Sequence, residues 1–260
     1  MWFFIILLLL PIFCSACSFG DNSDFKNEYG IFLDYSGDLT DLEDYRIVVI
    51  DAQNCSKADI NAFKKSGHIV YTYLNIGSLE EFRPYYDSYK DLSLGEYAGW
   101  EDEVWIDVSS LRWQDFVLKS LVPKLRRKNI DGFFVDNCDV YYYKNSPEIF
   151  KGLCAVMEGL SDGGEDVIIN GGDTFVDEYS RKKGSPTAIA CGINQESVFT
   201  NHDSDNESKE YFMDYIERYS AMGMDIYLTE YTSDKKLINE IKAYCQKNDF
   251  LYFITDKQYL

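Results

Sequence analysis

Ile130-Asp131-Gly132-Phe133-Phe134-Val135-Asp136-Asn137-Cys138-Asp139-Val140-Tyr141 sets an unbroken apolar run, Phe133 to Val135, directly before two aspartates three residues apart. A run apolar at every position fits a strand covered on both faces, as in a parallel sheet. A carboxylate just past the C-terminal end of such a strand stands where barrels and open α/β sheets gather their reactive groups. Taken alone, Asp136 and Asp139 read equally well as loop acids that cap the next helix. The recurrence of the same grammar along the chain favours the first reading.

Outward from that stretch, short apolar runs alternate with amphipathic ones. Candidate strands are Ile31–Tyr35, Ile47–Asp51, Ile69–Asn75, Gly132–Asp136, Val167–Asn170, Ala188–Ile193, Ile226–Thr229 and Leu251–Ile254. Helical patterns lie between them at Lys57–Ser66, Trp113–Lys128, Pro147–Leu160, Phe175–Lys183, Glu207–Met222 and Asp234–Asn248. In the fifth of these, Tyr211, Phe212, Tyr215, Ile216 and Tyr219 share one helical face. Ser56 and Ser233 are placed to cap the helices that follow them. One continuous alternation of this kind predicts a single (β/α)8 barrel over residues 28–260, with a doubly wound open sheet as the alternative. Gly77 to Leu111 breaks the pattern: it is long, rich in Tyr and acids, and carries Trp100 and Trp105. In a barrel it would extend over the mouth, and Trp105-Ile106-Asp107 would add a short strand there.

The strand ends are polar. Asp51 ends the second; Tyr73 and Asn75 end the third, with Arg83 soon after; Asp136 and Asp139 follow the fourth; Asn170 ends the fifth. Cys191-Gly192-Ile193-Asn194-Gln195-Glu196 brings Glu196 to the sixth, and Glu230-Tyr231 closes the seventh. In a barrel these groups converge on one rim. Two carboxylates facing each other across a cleft, with aromatic rings around them, are what glycoside hydrolysis requires. One carboxyl gives a proton to the leaving oxygen, and the other acts as nucleophile or base. The 21 Tyr and 17 Phe supply rings on which sugar faces could pack.

Other chemistries lack parts. There is no G-x-S-x-G elbow, no G-x-G-x-x-G after a strand and no phosphate-binding G-x-x-x-x-G-K-[ST] loop. Of two histidines, His68 belongs to the bottom of the third strand and reads as structural, and His202 reads as a solvated loop residue. Asp51, Asp136 and Asp139 offer oxygen ligands for Mg²⁺ or Ca²⁺, but without EF-hand spacing, so neither metal nor cofactor is expected. The net charge of −19 disfavours nucleic acid and anionic lipid as partners and would attract a cationic substrate.

Trp2 to Phe13 is apolar without interruption, and Cys14-Ser15-Ala16-Cys17 follows. Residues 1–16 read as a secretory signal, too short for a comfortable membrane span. The segment resembles a bacterial lipoprotein signal, which implies Cys17 as the lipidated residue, 17–27 as a tether and a location outside the cell membrane. It departs from that pattern in having no Lys or Arg before the apolar run. Five of the seven cysteines lie beyond this segment, scattered and without a C-x-x-C pair, which predicts buried thiols in place of a disulfide framework.

Tyr71-Thr72-Tyr73-Leu74-Asn75-Ile76-Gly77-Ser78-Leu79-Glu80-Glu81-Phe82-Arg83 is similar to the segment after strand three in glycoside hydrolase family 114, the endo-α-1,4-polygalactosaminidase-like barrels. Ile130 to Asp139 resembles that family's fourth strand, Ile193 to Glu196 its sixth, and Tyr227 to Thr232 its penultimate one, where Glu230 replaces a more usual Asp. The resemblance implies a (β/α)8 glycosidase acting on α-1,4-linked, galactosamine-containing polymers, whose two carboxylates would be Asp136 and Glu196. The two would share the acid and the nucleophile or base roles, and we read Asp136 as the nucleophile and Glu196 as the acid/base. Asp51, Tyr73, Asn75, Arg83, Asp139, Asn170, Glu230 and Tyr231 would then bind substrate, Arg83 serving equally well as a structural ion-pair partner. A surface protein that binds carbohydrate without cleaving it is the alternative.

Overall fold

The computed structural model describes residues 25–200 and 206–257. The expected signal segment, Cys17 and His202 lie outside the described residues. Strands β1 (Asn27–Phe32), β2 (Tyr45–Ile50) and β3 (Ile69–Asn75) are followed by a small inserted sheet of β4 (Ser78–Glu80), β5 (Ser93–Glu96) and β6 (Glu103–Ile106). Then come β7 (Gly132–Asp136), β8 (Asp166–Asn170), β9 (Gly192–Glu196), β10 (Asp225–Tyr231) and β11 (Leu251–Thr255). Outside the insertion, the eight strands pair in parallel in chain order. β1 packs beside β11, and the Phe32 and Phe253 rings meet at 5.4 Å, so the sheet closes into the predicted (β/α)8 barrel.

The helical elements are α1 (Lys57–Lys65), α2 (Tyr86–Tyr89), α3 (Leu111–Phe116), α4 (Val122–Arg126), α5 (Val140–Tyr143), α6 (Pro147–Ser161), α7 (Asp173–Lys183), α8 (Asn206–Ala221) and α9 (Lys235–Asn248). A π turn, Val117–Leu121, joins α3 to α4, so the two make one bent helix where one was expected. Ser56 caps α1 as its sequence suggests, its hydroxyl accepting from the Asp59 N–H at 3.1 Å. Asp234, not Ser233, caps α9, accepting from the Lys236 N–H at 2.7 Å. Among the described residues no helix is long and apolar enough to cross a membrane.

Strand alternation divides the core in two. Ile47 and Val49 point into the barrel with Tyr29, Ile31, Tyr71, Phe134 and Tyr227, whereas Val48, Ile50, Phe133 and Val135 pack outward under the helices. Each side chain buried in this way stabilises the fold by about 1.5–3 kcal/mol. Gly132 and Gly192 begin β7 and β9 because tyrosines fill the space inside them. A Cβ on Gly132 would lie 2.7 Å from the Tyr71 ring, and one on Gly192 2.9 Å from Tyr227.

Two strands differ from expectation. β1 starts at Asn27, where its ladder with Tyr45 begins, and the Phe25 ring packs at a tilt against His68 with centroids 4.9 Å apart, so the end of the expected tether is part of the barrel. The sixth strand is not Ala188–Ile193. Pro186–Ala188 forms a 3-10 turn, Ile189 and Ala190 are buried in the outer layer, and Ser161 donates to the Ile189 carbonyl at 2.7 Å. Their apolar character serves helix packing, and β9 begins at Gly192. His68 is structural as expected, stacked on Phe63 at 3.7 Å with Nδ1 2.8 Å from the Tyr45 carbonyl. The five described cysteines are free thiols.

Candidate active site

Asp136 and Glu196 end β7 and β9, the strands on either side of β8, and a single amide joins them. The side-chain N–H₂ of Asn170, at the end of β8, donates to Asp136 Oδ1 at 2.9 Å and to Glu196 Oε1 at 2.8 Å. Those two bonds place Asp136 Oδ1 and Glu196 Oε1, the two facing oxygens, at most 5.7 Å apart. Asp136 also accepts from its neighbour's backbone, Asn137 N–H, at 3.0 Å and from the Tyr73 hydroxyl at 3.0 Å. Glu196 accepts from the Tyr231 hydroxyl at 2.5 Å. Like charges at this separation repel by about 3 kcal/mol at an effective dielectric near 20. Burial, and after it the charge of Glu196, push the Asp136 carboxyl up to about 6.

All three strands turn sharply just after their site residue. Asn137 and Ser197 hold φ of 66° and 57°, and Gly171 and Gly172 hold 62° and 68°. These left-handed residues lead the chain away from the rim and leave Asp136, Asn170 and Glu196 uncovered. Glycine and asparagine occupy such positions at little cost; Ser197 does so with strain.

The pair stands at the floor of a cleft of about 900 Å³ over the C-terminal ends of the strands. Among its described lining residues, eight carboxyls (Asp34, Asp51, Glu80, Glu103, Asp136, Asp139, Glu196, Asp256) face one guanidinium, Arg83. Arg83 is held by Glu80 at 2.7 and 2.9 Å and by Asp51 at 2.5 Å, all three groups buried. Asp51 and Arg83 therefore line the cleft as a satisfied ion-pair cluster that braces the insertion. Asp139 accepts from the Gly172 N–H at 3.1 Å, and burial beside Asp136 pushes it up to about 7. Tyr73, Asn170 and Tyr231 touch the carboxyl pair directly.

Two expected substrate contacts are not in the cleft. Asn75 pins the turn between β3 and β4, donating to Ser78 Oγ at 2.6 Å and accepting from Ser78 N–H at 2.9 Å. Glu230 points outward between inward-facing Thr229 and Tyr231, and it accepts from Phe199 N–H at 2.9 Å and from Thr200 N–H and Oγ1 at 3.1 and 2.8 Å. It anchors the loop after β9. Strand period dictates this result, since adjacent residues cannot share a face.

The insertion supplies a wall that sequence reasoning left unassigned. Glu103 accepts from Ser78 Oγ at 2.6 Å, and burial pushes its carboxyl up to about 7. Tyr97 stacks on Trp105 at 3.9 Å and donates to Asn137 Oδ1 at 3.1 Å, and Phe82 and Trp100 stand exposed at the rim. The alternation in Glu103-Val104-Trp105-Ile106 puts Glu103 and Trp105 on one face, which was the available signal. Among the described residues no group of three or more His, Cys, Asp or Glu is arranged to hold a metal.

The family model described as glycoside-hydrolase family GH114 matches residues 16–153, just over half of the chain. The chain belongs to glycoside hydrolase family GH114. It is a glycoside hydrolase; the matched part holds Asp136, and Glu196 lies beyond it. Solved structures agree on the fold. The glycoside hydrolase domain of PelA from Pseudomonas aeruginosa superposes with a TM-score of 0.70 at 17% identity, covering 89% of this chain and 96% of that one. Ega3 from Aspergillus fumigatus, solved in complex with galactosamine, gives 0.71 at 18% identity, covering 89% and 91%. An α-galactosidase from Thermus thermophilus gives 0.57 at 10% identity, covering 90% and 58%. A comparison of the sequence with curated proteins finds no match.

Proposed function

We propose that this GH114 member is an exported, endo-acting hydrolase of α-1,4-linked, galactosamine-containing polymers that works by double displacement through Asp136 and Glu196. The observation that carries the reading is the shared Asn170 amide, which keeps the two facing carboxyl oxygens within 5.7 Å through its bonds of 2.9 and 2.8 Å. A separation of about 5–5.5 Å suits a retaining enzyme, and an inverting one needs about 6.5–9.5 Å to admit water. A protein that only bound carbohydrate would gain nothing from holding two buried acids so close.

In the first step an Asp136 oxygen attacks the anomeric carbon, the glycosidic C–O bond breaks, and Glu196 gives its proton to the departing oxygen. In the second, Glu196 takes a proton from water, whose oxygen attacks the same carbon and releases Asp136. Asp136 suits the nucleophile because two of its three donors, the Asn170 amide and the Asn137 N–H, cannot turn round to accept, and so offset part of the upward push that burial and the Glu196 charge give this carboxyl. The Tyr231–Glu196 bond can reverse, the hydroxyl accepting from a protonated carboxyl, which suits the acid/base.

The acidic lining supports a cationic sugar such as an unacetylated galactosamine. The open cleft flanked by Phe82, Tyr97 and Trp100 supports binding along a chain. Export follows from residues 1–16 read as a signal, with Cys17 as the lipid-bearing residue. Purified protein incubated with an α-1,4-galactosamine polymer tests the reading: oligosaccharides first released as the α anomer by NMR are expected, and β-anomeric products or no products would refute it.

A further inference from the structure

Behind the carboxyl pair runs another row of buried polar groups that does not line the cleft. Asn194, two residues before Glu196 and fully buried, donates from Nδ2 to Asn170 Oδ1 at 2.7 Å. Its own Oδ1 accepts from Thr229 Oγ1 at 2.9 Å and from the Tyr29 hydroxyl at 3.3 Å. Resting on Asp136 and Glu196 as the reacting pair, we propose that Asn194 is a positioning residue that holds the Asn170 amide with both N–H groups turned to the two carboxyls.

An asparagine amide is nearly symmetric in shape, so shape alone does not choose which end faces the pair. Two free carboxylates would choose the N–H₂ end by themselves. That preference weakens during turnover: in the glycosyl-enzyme Asp136 is an ester without charge, and Glu196 alternates between acid and anion. Asn170 can then turn its carbonyl towards the pair only if Asn194 turns as well. Asn194 has no exposed surface and is bonded at its far end to β10 and β1, so the two amides move together or not at all. The coupling preserves the geometry through the stage at which charge no longer enforces it.

The groups facing the pair are the hydroxyls of Tyr29, Tyr73, Tyr97 and Tyr231 and the carboxyls of Glu103 and Asp139. Of these groups only the Tyr29 hydroxyl is bonded to Asn194, at 3.3 Å. Freed of Asn194, the Asn170 amide no longer stabilises the doubly ionised pair as well, so the last proton leaves at higher pH.

The test is Asn194→Leu, together with a Thr229→Val variant that keeps the amide and removes its shorter anchor. Carboxyl titration is followed by ¹³C NMR on Asp- and Glu-labelled protein, with Asp136→Asn used for assignment, and pH–rate profiles are recorded alongside. The proposal expects the upper titration step to rise by about half a pH unit or more. It also expects kcat to fall about tenfold or more with KM within about twofold. Titration curves and rate profiles that superimpose on those of the unaltered protein in both variants would overturn it, whatever their stability. Wild-type protein that shows the shared titration but leaves galactosamine polymers intact would refute the substrate and leave the positioning role standing.

Discussion

At the scale of single residues, the reacting pair predicts its own pH dependence. Burial and the Glu196 charge raise Asp136 to about 6, so below that pH the proposed nucleophile carries a proton and cannot attack. The acidic limb of the kcat/KM profile is therefore expected near pH 6, and a profile flat down to pH 4 would contradict that role. The same shift costs stability: a carboxyl raised in the folded state stabilises below its unfolded value near 3.8, and that contribution is lost as pH rises through about 6. Asp136→Asn should thus abolish turnover while raising stability at pH 7 by on the order of 2 kcal/mol, measured by denaturant unfolding. Glu230→Gln should do the reverse, losing about 1–3 kcal/mol with kcat per folded molecule nearly unchanged, because one acceptor of the Phe199 and Thr200 N–H groups becomes a donor. The places of Asp136 and Glu196 at strand ends were legible in the sequence: Asp136 directly follows an apolar run, and Glu196 closes a segment that continues past Ile193. The roles of Glu230 and Asn194 were not. Glu230 has the sequence position of a site acid and is an anchor, whereas Asn194 reads as strand filler and bonds to Asn170 from behind.

Among the elements, the β3–β4 turn and the β7–α5 turn are pressed together beside Asp136, the proposed nucleophile. A Cβ on Gly77 would lie 1.7 Å from the Asn137 carbonyl oxygen, and Asn137 is the residue whose N–H holds Asp136. Gly77→Ala must push that turn aside, so a loss of about 1–3 kcal/mol in unfolding free energy and a kcat about tenfold lower or worse are expected together. Normal activity would show that the turn moves freely. The inserted sheet of β4 to β6 was foreseen as an unusual segment with one short strand, because its length and aromatic content break the alternation. That it is a three-stranded sheet folded against β7 through Ser78, Asn137 and Tyr97 was hidden, since those bonds join residues far apart in the chain. The sixth strand was misplaced for a similar reason: an apolar pair such as Ile189-Ala190 does not record whether a strand or a helix layer receives it.

For the molecule as a whole, the −19 charge is focused where eight of the described carboxyls line one cleft. Raising salt from about 50 to 500 mM should lower kcat/KM on a galactosamine polymer several-fold and leave a fully N-acetylated one little affected. Equal salt response on both would remove charge from substrate capture. By itself the sequence determined the barrel, because eight apolar runs separated by amphipathic helices can bury their surfaces in few other ways, and it determined that polar residues crown one rim. Only the tertiary structure decided which of those residues face inward, which satisfy one another as Asp51, Arg83 and Glu80 do, and that one amide from the strand between them ties the two acids together. The physical reason is that burial of apolar surface depends on local composition and is written along the chain. A hydrogen bond depends on register and distance between strands, which come into being only when the ring closes.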